Sequence, residues 1–324
     1  MKKLLFIYNP HAGKGKIKNS LSDIIEIFVK AGYEVTIYAT QKRDDAKNIA
    51  RERHQDFDLV VCSGGDGTLN EVTSGLMVSP HAPMIGYLPA GTTNDFASSM
   101  GIPKNMVKAA EAVVNGSPFA YDIGSLNDRY FTYVAGFGVF TNVSYETPQT
   151  TKNLLGRTAY ILEGIKSLPS VTSYHVTVSF DDQVIEDDFI YGMVTNANSV
   201  GGFKGITGKD VGLDDGKFEV TLIKNPKNIV ELQHIVNALL ARDLSDKFIY
   251  SFHASNLDIS CEEEISWTID GEYGGTYTKM HLQNHQRALS YITTNTVEQH
   301  EIEQKESTNL LEEKIEESKA EGNS

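Results

Sequence analysis

Two cysteines in 324 residues, Cys62 and Cys261, are too few for a disulfide framework, and a reducing cytoplasm is the simplest setting for the chain. Positive charge is also scarce: 29 Lys and Arg stand against 43 Asp and Glu, a formal net charge of −14. Nine Glu and three Lys in residues 297–324 carry −6 of it, so the body before that tail still holds −8. This balance argues against sequence-independent nucleic-acid binding, whose affinity comes from Lys and Arg on phosphates. It leaves only a local patch for transient contact with anionic lipid. The opening MKKLLFIYNP loses its apolar run at Tyr8, too short for a signal peptide or a membrane span, and reads as a first strand. The nine His have no metal-ligand spacing, and no internal repeat is present.

Hydrophobic residues make up 40% of the chain, enough for one large core or two ordinary ones, and its length favours two domains. The first third alternates β-branched runs at 3–8, 34–39, 59–63 and 84–88 with helical patterns at 17–31, 44–53 and 68–77. That alternation predicts an α/β domain with a parallel sheet, over residues 1–125, whose ligands collect at the strands' carboxyl ends. After Asp122 short β-rich runs dominate, at 130–134, 174–180, 188–194, 218–224, 257–260 and 265–269, with helical patterns at 159–168 and 229–241. A mostly antiparallel second domain is expected over 126–286, with a last strand near 287–293 returning to the first domain. Trp267 alternates with Ile265 and Ile269 and reads as packing. Residues 297–324 are Glu-rich, lack aromatic residues and read as a solvated tail, disordered or marginally helical.

Three strand ends carry polar, glycine-containing loops. YNPHAGKGK, Tyr8 to Lys16, offers Gly13 and Gly15 for close approach of phosphate to backbone, with Lys14 and Lys16 as counter-charge, though no Walker A spacing follows. CSGGDGTLNE, Cys62 to Glu71, removes side chains at Gly64, Gly65 and Gly67 ahead of a helix; alone it reads equally well as a tight turn with Asp66 as N-cap. LPAGTTNDFA, Leu88 to Ala97, repeats the pattern with Asp95 at a helix start. Carboxylates among phosphate loops make chemical sense when Mg²⁺ bridges carboxylate and phosphate oxygens.

NPHAGKGK, GGDGTLNE and PAGTTNDFA, in that order and followed by Asp122-Ile123-Gly124 and Asp270-Gly271-Glu272-Tyr273, resemble the diacylglycerol kinase catalytic-domain family, specifically its soluble bacterial lipid kinases. The resemblance runs from about Met1 to Ile292. It implies a nucleotide domain of the NAD kinase and phosphofructokinase type, a β-rich lipid-substrate domain, and ATP in the cleft between them. Along the nucleotide it places Asn9, Pro10, His11, Ala12, Gly13, Thr40, Gly64, Gly65, Asp66, Gly67, Thr68, Leu69, Asn70 and Thr92. Asp66, Asp95 and Asp122 would join an acidic network with Mg²⁺ and water, and Asp270 and Glu272 match the catalytic stretch, with Glu272 as general base. GLDDGK resembles a structural cation loop that binds through Asp215 and the carbonyls of Gly212 and Lys217.

These roles suit transfer of a phosphoryl group from ATP to an alcohol, which needs positioning, charge neutralisation and a proton acceptor. Taken by themselves, DGE and DDG are ordinary turn signals. Glu163 stands about where some relatives carry a functional lysine, which bears on the lipid chosen rather than on kinase activity. GGFKG, residues 201–205, reads as a lipid-side loop or a flexible connection. The implied partners are a lipid at a membrane surface and no nucleic acid, with a homodimer left open. Two alternatives are an NAD kinase, although a Thr-Gly-Ser-Thr-Ala-Tyr stretch is missing, and a regulator that binds ATP without catalysis.

Overall fold

A computed structural model describes residues 1–139, 172–200, 203–204, 211–241 and 243–294. The helical pattern at 159–168, Glu163, most of GGFKG and the tail lie outside the described residues.

The apolar runs of the first third become four strands: β1 (Lys2–Tyr8), β2 (Tyr33–Ala39), β3 (Leu59–Gly64) and β4 (Met84–Pro89). They pair in parallel in the order β4-β3-β1-β2, with Leu4 opposite Val35 and Leu59, and Val61 opposite Gly86. Leu4 to Ile7 and all of β3 are buried, as expected for strands covered on both faces. The covering helices are α1 (Leu21–Lys30), α2 (Asp45–Arg53), α3 (Asp66–Leu76), the short α4 (Asp95–Ser99) and α5 (Met106–Asn115). In α1, Ile24 and Phe28 are four residues apart and both buried, and the Phe28 ring meets Phe6 edge-on at 5.8 Å.

The helix expected over 17–31 is shorter. Gly13, Lys14 and Gly15 all take left-handed φ values (55°, 64° and 73°), a 3₁₀ stretch covers Ala12–Asn19, and the α-helix starts at Leu21. The left-handed turn cannot join an α-helix, and both flanking glycines adopt it without a Cβ penalty.

From β5 (Ser117–Leu126) onward pairing is antiparallel, except where β15 meets β4. Strands β6 (Arg129–Phe131), β7 (Val134–Gly138), β8 (Tyr174–Phe180), β9 (Gln183–Thr195), β12 (Phe218–Lys224), β13 (Ile249–Ala254), β14 (Asn256–Ile269) and β15 (Glu272–Thr293) extend the same sheet, while β10 (Ser199–Val200) and β11 (Phe203–Lys204) form a separate pair. Helix α6 (Ile229–Ala241) packs Ile235 against Ile190 and Ile223 in a small third cluster. The run at 130–134 is divided because Thr132 and Tyr133 turn their amides to a carboxylate instead of a neighbouring strand. Conversely, the runs at 257–260 and 265–269 belong to one strand, β14, with a bulge between Ser260 and Ile265.

Strand β15 joins the halves. Its first part pairs with β14, and its last part pairs antiparallel with β5 and in parallel with β4, Tyr291 facing Ile85. A first core surrounds β1 to β4, and a second is built around Trp267 and Phe137, whose rings lie 5.0 Å apart. Tyr133, Ala197 and Leu213 pack into the first core although they follow residue 125. Both cysteines are free, and no helix among the described residues is long and apolar enough to cross a membrane.

Candidate active site

The carboxyl ends of β1, β3 and β4 leave the sheet together. Asn9 N–H donates to Ser63 O and Ala90 N–H to Gly64 O, both at 2.8 Å, and Thr40 N–H reaches Tyr8 O at 2.9 Å from the end of β2. Side chains would force the following loops apart. A Cβ on Gly13 would strike the Ala90 carbonyl, and one on Gly91 would lie 2.7 Å from Gly65 Cα. Asn94 fastens the third loop, accepting from Gly91 N–H at Oδ1 and donating from Nδ2 to Gly91 O, each at 2.9 Å. The outcome is glycine-lined backbone beside the N-terminus of α3, a setting that suits phosphate oxygens.

Around this backbone lie Asn9, Pro10, exposed His11, Ala12, Gly13, Thr40, Gly65, Gly67 and exposed Thr92. Three expected nucleotide contacts are otherwise engaged. Leu69 is fully buried in the first core, so its side chain faces no ligand. Gly64 is closed off by the Thr68 side chain. Asn70 donates from Nδ2 to Asp270 Oδ2 at 2.8 Å and Tyr130 O at 2.9 Å, which makes it a joint between α3 and the β-rich half.

Asp66 opens α3 with Gly65 in the cap position, so it is not the N-cap. Its Oδ1 is covered and has no hydrogen-bond partner. Burial, then repulsion from Asp95 and Asp270, lifts its carboxyl to about 7 against the pull of the Asp95 and Asn94 main-chain N–H groups. Asp95 is itself buried at the start of α4. An unpartnered carboxylate oxygen beside a second carboxyl fits Mg²⁺, which usually takes one or two carboxylates and fills its shell with waters and phosphate oxygens. Among the described residues no three His, Cys, Asp or Glu side chains are arranged to hold a metal by themselves.

Asp270, expected as part of the catalytic stretch, is held in a dense hydrogen-bond network. Its carboxylate accepts from Thr132 N–H, Thr132 Oγ1, Tyr133 N–H, Val134 N–H and Asn70 Nδ2 at 2.7–3.1 Å, five donors for about four lone-pair positions. These bonds hold Asp270 at φ 48° beside Gly271 at φ 81°, the two-residue turn that closes the β14–β15 hairpin. Glu272 therefore begins β15 at a fixed hairpin tip.

That tip meets the second glycine loop. The Glu272 Oε1 atom lies where a Cβ on Gly67 would fall, and Oε2 is 3.4 Å from Arg43 Nη2. A cavity of about 670 Å³ opens there, lined by Arg43 and Lys47, by Gly67 and Glu71 of α3, by Arg129 and by Glu272. Sequence reasoning missed Arg43, Glu71 and Asn94, because each acts through a partner set by tertiary structure.

Asp122 stands with the 212–217 loop. Its carboxylate accepts from Gly216 N–H and Arg287 N–H, both at 2.7 Å, and burial raises its pKa. Gly212, Asp215 and Lys217 share one turn: the Asp215 carboxylate folds over Gly212 and Oδ1 accepts from Lys217 N–H at 2.9 Å.

Residues 3–126 match the model of the diacylglycerol kinase catalytic domain. The chain is 37% identical over 278 residues to a diacylglycerol kinase of Bacillus subtilis, covering 85% of this chain and 91% of that protein. It is 34% identical over 304 residues to a diacylglycerol kinase of Staphylococcus saprophyticus, covering 93% and 98%. A crystal structure from Bacillus anthracis, provisionally assigned as a diacylglycerol kinase, superposes with a TM-score of 0.78 at 28% identity, covering 90% of this chain and 95% of that one.

Proposed function

The chain belongs to the diacylglycerol kinase family and is a lipid kinase, and from that premise we propose that this cleft moves the γ-phosphoryl group of ATP onto the free hydroxyl of diacylglycerol, giving phosphatidic acid. The observation that carries the reading is the Glu272 carboxylate held against Gly67 of the second glycine loop.

In this reading residues 1–125 bind the nucleotide and 126–286 the lipid. The loops at Asn9 to Gly13 and Gly64 to Gly67, with the N-terminus of α3, orient the phosphates. Asp66 and Asp95 would hold Mg²⁺, which when bound neutralises phosphate charge. Glu272 takes the proton of the lipid hydroxyl as that oxygen bonds to the γ-phosphorus and the bond to the ADP oxygen breaks. Asp270 keeps the hairpin tip in place, and Asp215 with the carbonyls of Gly212 and Lys217 would seat a structural cation. The acceptor brings the enzyme to a membrane surface for the length of an encounter.

The test is a radiolabelled-ATP assay over a panel of lipid alcohols with NAD included. Label appearing in phosphatidic acid supports the reading. Label in NAD phosphate would replace it with an NAD kinase, and no transfer to any acceptor would leave a nucleotide-binding regulator.

A further inference from the structure

We infer that Arg43 is a positioning residue, which holds the Glu272 carboxylate over Gly67 in the orientation that receives the acceptor's proton. The inference rests on the proposed role of Glu272 as general base.

Glu272 sits at an exposed hairpin tip, where a free carboxylate would sample several rotamers. Two elements limit it here. The absent side chain of Gly67 leaves room for Oε1, and the Arg43 guanidinium meets Oε2 at 3.4 Å. Both side chains of that ion pair are more than half exposed, at 64% and 58%, so the pair adds little to stability, and its effect is orientation.

Arg43 is itself placed by an unusually well-tied loop. Asp45 Oδ2 accepts from Gln41 N–H at 2.7 Å and Lys42 N–H at 3.0 Å, immediately before Arg43. Glu71 accepts from Asp44 N–H at 3.0 Å and Ala46 N–H at 3.1 Å, immediately after it. Those bonds accompany Asp44 at φ 64°, a left-handed conformation that Asp adopts more readily than most non-glycine residues. Glu71 lies one helical turn beyond Gly67 on α3. The same helix thus supplies the surface under Glu272 and the anchor for the loop that carries Arg43, and the carboxylate is aligned to the glycine loop from both sides.

Steady-state kinetics of the full chain, with MgATP and diacylglycerol in mixed micelles, tests this on wild type, Arg43→Ala, Arg43→Lys, Glu272→Gln and the Arg43→Ala/Glu272→Gln double variant. Arg43→Ala is expected to melt with wild type and lose about two- to fivefold in kcat, the change in population of the productive rotamer that an exposed ion pair can impose, with KM for ATP little changed. Arg43→Lys, or sub-denaturing guanidinium added to Arg43→Ala, should restore part of the loss, and the double variant should be no slower than Glu272→Gln. A rise in KM for ATP at unchanged kcat would make Arg43 a nucleotide contact and overturn the inference, as would losses that multiply in the double variant. If Glu272→Gln is impaired and Arg43→Ala is not, the inference alone falls. If Glu272→Gln retains wild-type kcat, the general-base reading falls and the inference with it.

Discussion

The Glu272 carboxylate occupies the space a side chain on Gly67 would fill, which ties the tip of the β14–β15 hairpin to the first turn of α3. Gly67 therefore leaves room for Glu272. Its φ is not positive, so alanine fits the backbone, and in a helix alanine is favoured over glycine by roughly 0.5–1 kcal/mol. Gly67→Ala is expected to melt at or above the wild-type temperature while kcat falls at least about tenfold. Unchanged turnover would show that the position of Glu272 over residue 67 has no part in the reaction.

Asp270 is expected to matter through stability. Replacing it with Asn keeps the size but turns an amide group toward main-chain N–H donors that the carboxylate now satisfies, at a cost of about 2 kcal/mol or more. Urea unfolding should show a lower midpoint with an unchanged slope. An Asp270→Asn protein as stable as wild type would mean that the amides of Thr132 to Val134 find other acceptors.

Strands β1, β3 and β4 were legible because strands buried on both faces read as continuous apolar runs bounded by turn residues. The glycine loops were legible for the same local reason. Asn70 was not, since nothing near it in the chain tells that its amide reaches a carboxylate 200 residues away. Arg43 was hidden twice over: its loop depends on Glu71, and its target lies 229 residues on. The false helix at 17–20 came from apolar periodicity that ignored the left-handed Gly-Lys-Gly turn before it.

His285 gives a pH test at a group outside the lining of the cleft. Burial lowers its pKa, with Ser125 Oγ 3.0 Å from Nε2 and the Tyr130 ring 5.7 Å from its own. A base whose folded pKa is depressed binds more protons once the chain unfolds, so stability is complete above the ordinary His value of about 6.5 and declines as pH falls through the folded value. Between pH 8 and pH 5 wild type should lose more unfolding free energy than His285→Gln, which keeps a polar partner for Ser125. Equal losses would mean that the folded chain does not resist protonation there.

Asp66 joins its proposed role at the phosphates to a cost in stability. With its carboxyl raised to about 7 by burial and by Asp95 and Asp270, the folded chain binds a proton that the unfolded chain has already released, so stability falls as pH climbs from about 4 toward 7. Asp66→Asn removes the charge, its repulsion and that pH slope while keeping the shape. At pH 8, without Mg²⁺ or nucleotide, the variant should melt at or above the wild-type temperature, yet its turnover on diacylglycerol should drop about 10²-fold or more, because one of the two carboxylates that would face the phosphates' counter-ion is gone. Calorimetry would add that ATP affinity responds to Mg²⁺ in wild type and far less in the variant. A stabilised Asp66→Asn protein with near-normal turnover would remove Asp66 from the reaction and return CSGGDGTLNE to the status of a turn.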